Sequence, residues 1–168
     1  KENYNKRLLV QDKSGKWCYR SFEHKEQLVM TQACEALPLY WNMVPADKHQ
    51  DVVEAFKQTL LGKQAFASGE VGLPYIIQTA GKYGMNDLIC DFITRPEHPS
   101  YYAFVKEGLT TLGEYWEENP RSHCHDMMGH IIEWYYNGLA GIKPLEPGFK
   151  KVLIRPYLPK SMNYMKCR

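Results

Sequence analysis

Apolar residues recur at three- and four-residue steps through most of the 168-residue chain, and Gly or Pro interrupts the pattern every fifteen to twenty-five residues. Such spacing lays one apolar stripe along each of a series of helices, and each stripe has to be buried against another. The sequence therefore reads as about six helices joined by short loops, a layer of αα-hairpins with no repeat of fixed length.

The segments follow from local signals. A partly apolar helix is expected over 23–43, with Leu28, Thr31, Gln32, Cys34, Leu37 and Tyr40 on it, Pro38 as a kink and VPADK as the following turn. From about Asp47, Val52, Val53, Phe56, Leu60 and Leu61 form a stripe opposite Lys48, Glu54 and Lys57, and Gly62 is placed to end it. The Gly-rich loop ASGEVG leads into a helix from Val71 to about Tyr83, with Pro74 in its first turn and Gly84 as its stop. Asn86 or Asp87 can cap a helix carrying Leu88, Ile89, Phe92 and Ile93, ended by RPEHP, and a short helix follows over Tyr101 to Glu107. Asp126 can cap the last long helix, through Met128, Ile131, Ile132, Tyr135 and Leu139 up to Gly141. The period then changes, and KKVLIRPY reads as the one convincing strand.

Composition excludes several functions. A net charge of +2 from 21 basic and 19 acidic residues, without a run of like charge, disfavours nucleic acid as a partner. No stretch reaches the ~20 apolar residues of a membrane span, and KENYNKR is not a signal sequence. The five cysteines are scattered without a CxxC pair, so free thiols are expected rather than a disulfide framework or zinc ribbon. Lys1 is not an initiator Met, and the chain is read as cut from a longer one.

The stretch LTTLGEYWEENPRSHCHDMMGH, 109–130, gathers four carboxylates and three histidines between a short helix and the last long one. His125 and His130 stand five apart, about 500° on a helix, so they do not share a face as the zinc-binding i,i+4 pair does. No metal is expected, and His130 reads as a core or interface histidine. Glu117 and Glu118 read as solvating the loop, and Glu133 as a surface or structural partner. Glu114 differs, because it lies between Thr110-Thr111-Leu112 and Tyr115-Trp116, and a carboxylate among aromatics suits acid/base work. Aromatic rings interleaved with acids and histidines also suit sugars. From these residues alone, glycoside chemistry, a non-catalytic carbohydrate-binding module and a structural helical domain all remain open.

Four ordered blocks narrow the choice: TQACEALPLYWNMVP (31–45), ASGEVGLPYIIQTAGKYGMNDLICDFI (67–93), HPSYYAFVKEGLTTLGEYWE (98–117) and SHCHDMMGHIIEWYYNGLAGIKPLEPGFKKVLIRP (122–156). In order and spacing they resemble the C-terminal half of the catalytic domain of bacterial α-L-rhamnosidases, whose pattern runs roughly SQTANALALYLGLVP, TGFLGTPYLL, YPSWGYMLEQGATTLWE and SHNHPMFGSVSEWFYRYLAGI, then a GFK-x-x-x-I-x-P strand. The resemblance implies an all-α region of αα-hairpins, part of an (α/α)6 barrel over 1–143, and the start of a C-terminal β-domain over 144–168. It implies hydrolysis of terminal α-L-rhamnosides with inversion, no cofactor, and a bacterial protein of the cytoplasm or periplasm. Its partners would be a carbohydrate substrate and the N-terminal half of the barrel. By this resemblance Glu114 is the general base, His125 and His123 line the sugar subsite, Trp116 is the aromatic after the base, and Ser68-Gly69 match Thr-Gly. Tyr101 falls on a substrate-side Trp position. Gly113 replaces Trp, Cys124 replaces Asn, Glu70 replaces Phe and Tyr101 replaces Trp, which alters the pocket wall. The family's general acid lies upstream, and nothing in residues 1 to 168 matches it.

Overall fold

The computed structural model describes residues 1–24, 27–117 and 122–167. It is mostly helical, at 46%, with two small two-stranded sheets. Two compact units divide it, Lys1–Thr79 and Ala80–Arg168.

In the first unit α1 (Glu2–Leu8) runs into a hairpin of β1 (Leu9–Gln11) and β2 (Trp17–Tyr19), which pair antiparallel with Val10 opposite Cys18. Neither strand was expected, since three residues are too few for an alternating pattern to stand out. Helix α2 (Gln32–Tyr40) is shorter than the 23–43 expectation, because Thr31 caps it by accepting from the Cys34 N–H at 3.1 Å. Pro38 lies buried inside it. Helix α3 (His49–Lys63) buries Val52, Phe56 and Leu60, as their spacing predicts. It runs past Gly62, and Gln64 supplies the left-handed C-cap at φ 51° instead.

Polar side chains lock these pieces together. Gln32 donates to the Ala65 carbonyl at 2.7 Å and accepts from the Ala67 N–H at 3.0 Å, so its buried amide ties α2 to the chain after α3. The outer edge of β2 is closed by carboxylates: Tyr19 N–H donates to Glu35 Oε1 at 2.9 Å and Trp17 N–H donates to Asp51 Oδ2 at 3.1 Å. Near the start of α4 (Leu73–Lys82), a Cβ on Gly72 would stand 2.2 Å from Ser68 Oγ, so the approach requires glycine.

The second unit contains α5 (Asn86–Thr94), α6 (Tyr101–Lys106), a short α7 (Ile131–Trp134), and a hairpin of β3 (Ile142–Pro144) and β4 (Val152–Ile154). The expected strand over KKVLIRPY is β4, and the single-strand expectation is corrected to four strands among the described residues. Asn86 and Asp87 do not cap α5. The Asn86 side chain instead accepts from the Trp134 indole N–H at 2.9 Å in the core, and Asp87 accepts from the Lys160 N–H at 3.0 Å.

The continuous helix expected from Asp126 is broken into a 3₁₀ turn (Asp126–Met128), α7, and a π turn (Tyr135–Leu139). The indole of Trp134 is the physical reason at one point: a Cβ on Gly138 would meet its Cδ1 at 2.3 Å, so the ring lies against bare backbone. Asn86→Leu keeps the side-chain shape but leaves that buried indole N–H unpaired, at a cost of about 1–3 kcal/mol. A denaturant titration is expected to show the midpoint shift with an unchanged slope.

Candidate active site

The loop that opened the functional question is strapped across its base. Glu114 N–H donates to the Ser122 carbonyl at 3.1 Å, His125 N–H donates to the Leu112 carbonyl at 2.8 Å, and the Thr111 hydroxyl donates to the His123 carbonyl. Ser122 and Cys124 close a further small turn, the Cys124 N–H reaching Ser122 Oγ at 3.4 Å. His125 begins the next turn by accepting from the Met127 N–H on Nδ1 at 3.3 Å, which leaves its Nε2 to carry the ring proton.

Trp116 of the stretch joins two aromatic residues of α6 in a cluster. Trp116 takes the Tyr101 ring edge-on, with centroids 5.1 Å apart at 90°, and stacks with Phe104 at 6.3 Å and 12°. The Tyr101 hydroxyl donates to the Met128 carbonyl. Burial first, and then the neighbouring Tyr135, push that phenol above its ordinary range. Tyr101 thus joins α6 to the 3₁₀ turn as well as to the loop. Glu114 and His125 are half-buried, whereas His123 is exposed.

A cavity of about 420 Å³ opens beside this loop, lined by Phe104, Glu107, Leu109, Gly113, Tyr115, Glu117 and His123. Of the five residues singled out from the sequence, His123 lines it; Glu114, His125, Trp116 and Tyr101 lie outside its wall. Among the described residues no group of three or more His, Cys, Asp or Glu is placed to hold a metal ion.

Two expectations nearby have outcomes in the structure. His130 is exposed rather than in the core, because Ile131 and Trp134 supply the inward stripe and the histidine falls outside it. Glu133 is exposed and accepts from the Asn137 amide at 3.1 Å, a surface partnership as expected. Glu118 lies outside the described residues.

Sequence reasoning passed over two acids. Glu107 sits on the cavity wall with its carboxylate 2.7 Å from His98 Nε2, a pairing across α6 that no periodicity signals. Glu35 is fully buried in the first unit, its Oε1 bonded to Tyr19 and its Oε2 without a partner among the described residues. Burial pushes its carboxyl up to about 8, against which the Tyr19 hydrogen bond pulls only partly. A signal for it existed, since Gln32, Glu35, Ala36 and Leu39 share one helical face.

Residues 1–139 match the family described as the bacterial alpha-L-rhamnosidase 6 hairpin glycosidase domain. The chain belongs to this family. It is similar over 99% of its length, at 28% identity, to an α-L-rhamnosidase of Formosa agariphila, of which it covers 18%. Among solved structures, the α-L-rhamnosidase from Dictyoglumus thermophilum superposes with a TM-score of 0.78 at 30% identity, over 91% of this chain and 17% of that one. The Streptomyces avermitilis α-L-rhamnosidase, solved in complex with L-rhamnose, gives 0.72 at 25% identity over 78% of this chain and 14% of that one. The chain therefore spans less than a fifth of these rhamnosidases. Its departures from the rhamnosidase pattern are spread unevenly: Gly113 is buried on the cavity wall, Tyr101 is half-buried in the aromatic cluster, and Glu70 and Cys124 are exposed.

Proposed function

We propose that this chain is part of an enzyme that hydrolyses terminal α-L-rhamnosides with inversion at the anomeric carbon. Glu114 acts as the general base, His125 and His123 contact the sugar, and Trp116 and Tyr101 shape the sugar-facing wall. The observation that carries the reading is the strapped loop: it fixes the backbone on which Glu114 and His125 both stand. A carboxylate on a tethered backbone and an imidazole whose Nδ1 accepts from Met127 N–H are groups that water activation and hydroxyl recognition can use.

Inversion calls for two carboxyls about 6.5–9.5 Å apart, one to protonate the leaving oxygen and one to activate water on the opposite face. Family resemblance gives only Glu114 such a role in this chain, so the acid belongs to a part of the enzyme outside residues 1–168. The helical segment 1–143 is accordingly part of an (α/α)6 barrel, and 144–168 begins a β-domain. Two assays test the reading. The full-length protein is expected to release β-L-rhamnose first from an aryl α-L-rhamnoside, followed by NMR before mutarotation, and the isolated chain is expected to show no turnover. Retention in the first assay defeats the inverting reading; clear turnover in the second defeats the placement of the acid.

A further inference from the structure

The straps that close the loop tie it to itself. Thr111 to His123, Leu112 to His125 and Glu114 to Ser122 fix its two arms to each other, but they do not set where the arms stand over the rest of the unit.

A fixed point is available in α6. Its first turn is capped by Ser100, whose buried hydroxyl donates to the Ile93 carbonyl of α5 at 3.0 Å and accepts from the Tyr102 N–H at 3.2 Å. Ala103 and Phe104 are buried on the same short helix. Tyr101 therefore starts from backbone that α5 and the core hold in place.

From there Tyr101 reaches both arms. Its ring takes the Trp116 ring edge-on, 5.1 Å between centroids at 90°, and Phe104 stacks on the same indole at 6.3 Å. Its hydroxyl donates to the carbonyl of Met128, a buried residue. That carbonyl belongs to the 3₁₀ turn that His125 opens by accepting from the Met127 N–H. One side chain thus grips the arm of Glu114 through Trp116 and the arm of His125 through Met128. Burial keeps the phenol protonated, and so a donor. The rhamnosidase pattern has Trp at this position, and the exchange for Tyr supplies the hydroxyl.

We infer that Tyr101 is the positioning residue for the proposed base: its hydroxyl, through the Met128 carbonyl, and its ring, through Trp116, set where the strapped loop holds Glu114. The inference rests on the reading of Glu114 as the base. Losing the hydroxyl leaves the straps in place, so Glu114 and His125 stay together while the loop that carries them is released from α6 on one side. Proton abstraction is sensitive to such a shift, since a misplacement of about 1 Å can cost about 10²-fold in rate. A hydrogen bond to a sugar hydroxyl tolerates a wider range of distance.

The test uses the full-length protein on an aryl α-L-rhamnoside. Tyr101→Phe, which keeps the ring on Trp116, is expected to lower kcat by about 10–10²-fold with KM changed less than about threefold. Azide, which attacks without a base, is expected to restore its turnover. In a Glu114→Gln background Tyr101→Phe is expected to cost no further factor, because a residue that acts only through the base has nothing left to position. Tyr101→4-aminophenylalanine, with an N–H donor in place of the hydroxyl, is expected to keep most of the parent's kcat. Parent-like kcat in Tyr101→Phe overturns the inference, as does the same factor lost in both backgrounds. A Tyr101→Phe protein that no longer folds or binds L-rhamnose overturns it too, by making the hydroxyl a structural bond. Near-normal kcat in Glu114→Gln defeats the base reading instead, and that single variant shows it whatever Tyr101→Phe does.

Discussion

Glu114→Gln in the full-length protein is expected to lower kcat on an aryl α-L-rhamnoside by about 10²–10⁴-fold, the usual contribution of a positioned base. The substitution keeps the side chain's length and leaves the backbone bond from Glu114 to Ser122 in place. KM is expected to change little, because the lost interaction belongs to the transition state rather than to binding. The base works ionised, so activity in the unsubstituted enzyme falls on the acid side of the profile as its carboxylate takes up a proton, and this limb disappears in the variant. Azide, able to attack without a base, is expected to restore turnover and give the inverted glycosyl azide. Near-normal kcat in a variant whose fold is verified returns Glu114 to the status of a loop carboxylate.

Glu35→Gln is expected to stabilise the protein increasingly as the pH is raised. The carboxyl is fully buried and its Oε2 has no partner among the described residues, so the charged form is strongly disfavoured in the folded state. Its folded value lies near 8 against 4.5 for the exposed group, which means the unfolded chain releases this proton first. Below about 4.5 both states hold the proton and the residue is neutral to stability. Between there and 8 stability drains away with rising pH, and above 8 the full penalty of several kcal/mol is present, at about 1.4 kcal/mol per unit. The glutamine still offers an oxygen to the Tyr19 N–H and has no charge to bury. Unfolding measured from pH 5 to 9 should give a gap between variant and parent that is small at the acid end and widens upward. A gap that does not vary with pH would show that Glu35 is already ionised in the fold. Among the described residues the influences on its carboxyl are burial and the Tyr19 hydrogen bond, not a positive charge that could hold it so.

The contrast between these two acids shows what a sequence makes visible. Glu114 was found because its neighbours in the chain, two threonines and two aromatics, give it a local context and because the flanking blocks match a family. Glu35 and Glu107 owe their settings to residues sixteen and nine positions away, Tyr19 and His98. Helices α3, α4, α5 and α6 lie within two or three residues of the ranges that apolar spacing predicts, since burial of a stripe dominates their placement. Where other forces decide, spacing misleads. The last helix looks continuous in sequence, yet it is divided into turns of three different pitches, with the Trp134 indole lying on Gly138 in the π turn. Asn86 looks like a cap and is spent on Trp134.

The straps between Leu112 and His125 and between Glu114 and Ser122 have a mechanical meaning. They make the proposed base and its neighbouring imidazole passengers on one carrier, so any sway of the loop translates both together and leaves their mutual spacing alone. The quantity such a sway changes is the gap to a proton donor mounted elsewhere in the enzyme. On the inverting reading proposed above, that gap is the separation of the two carboxyls, and a carrier of this kind changes it with base and imidazole moving as one.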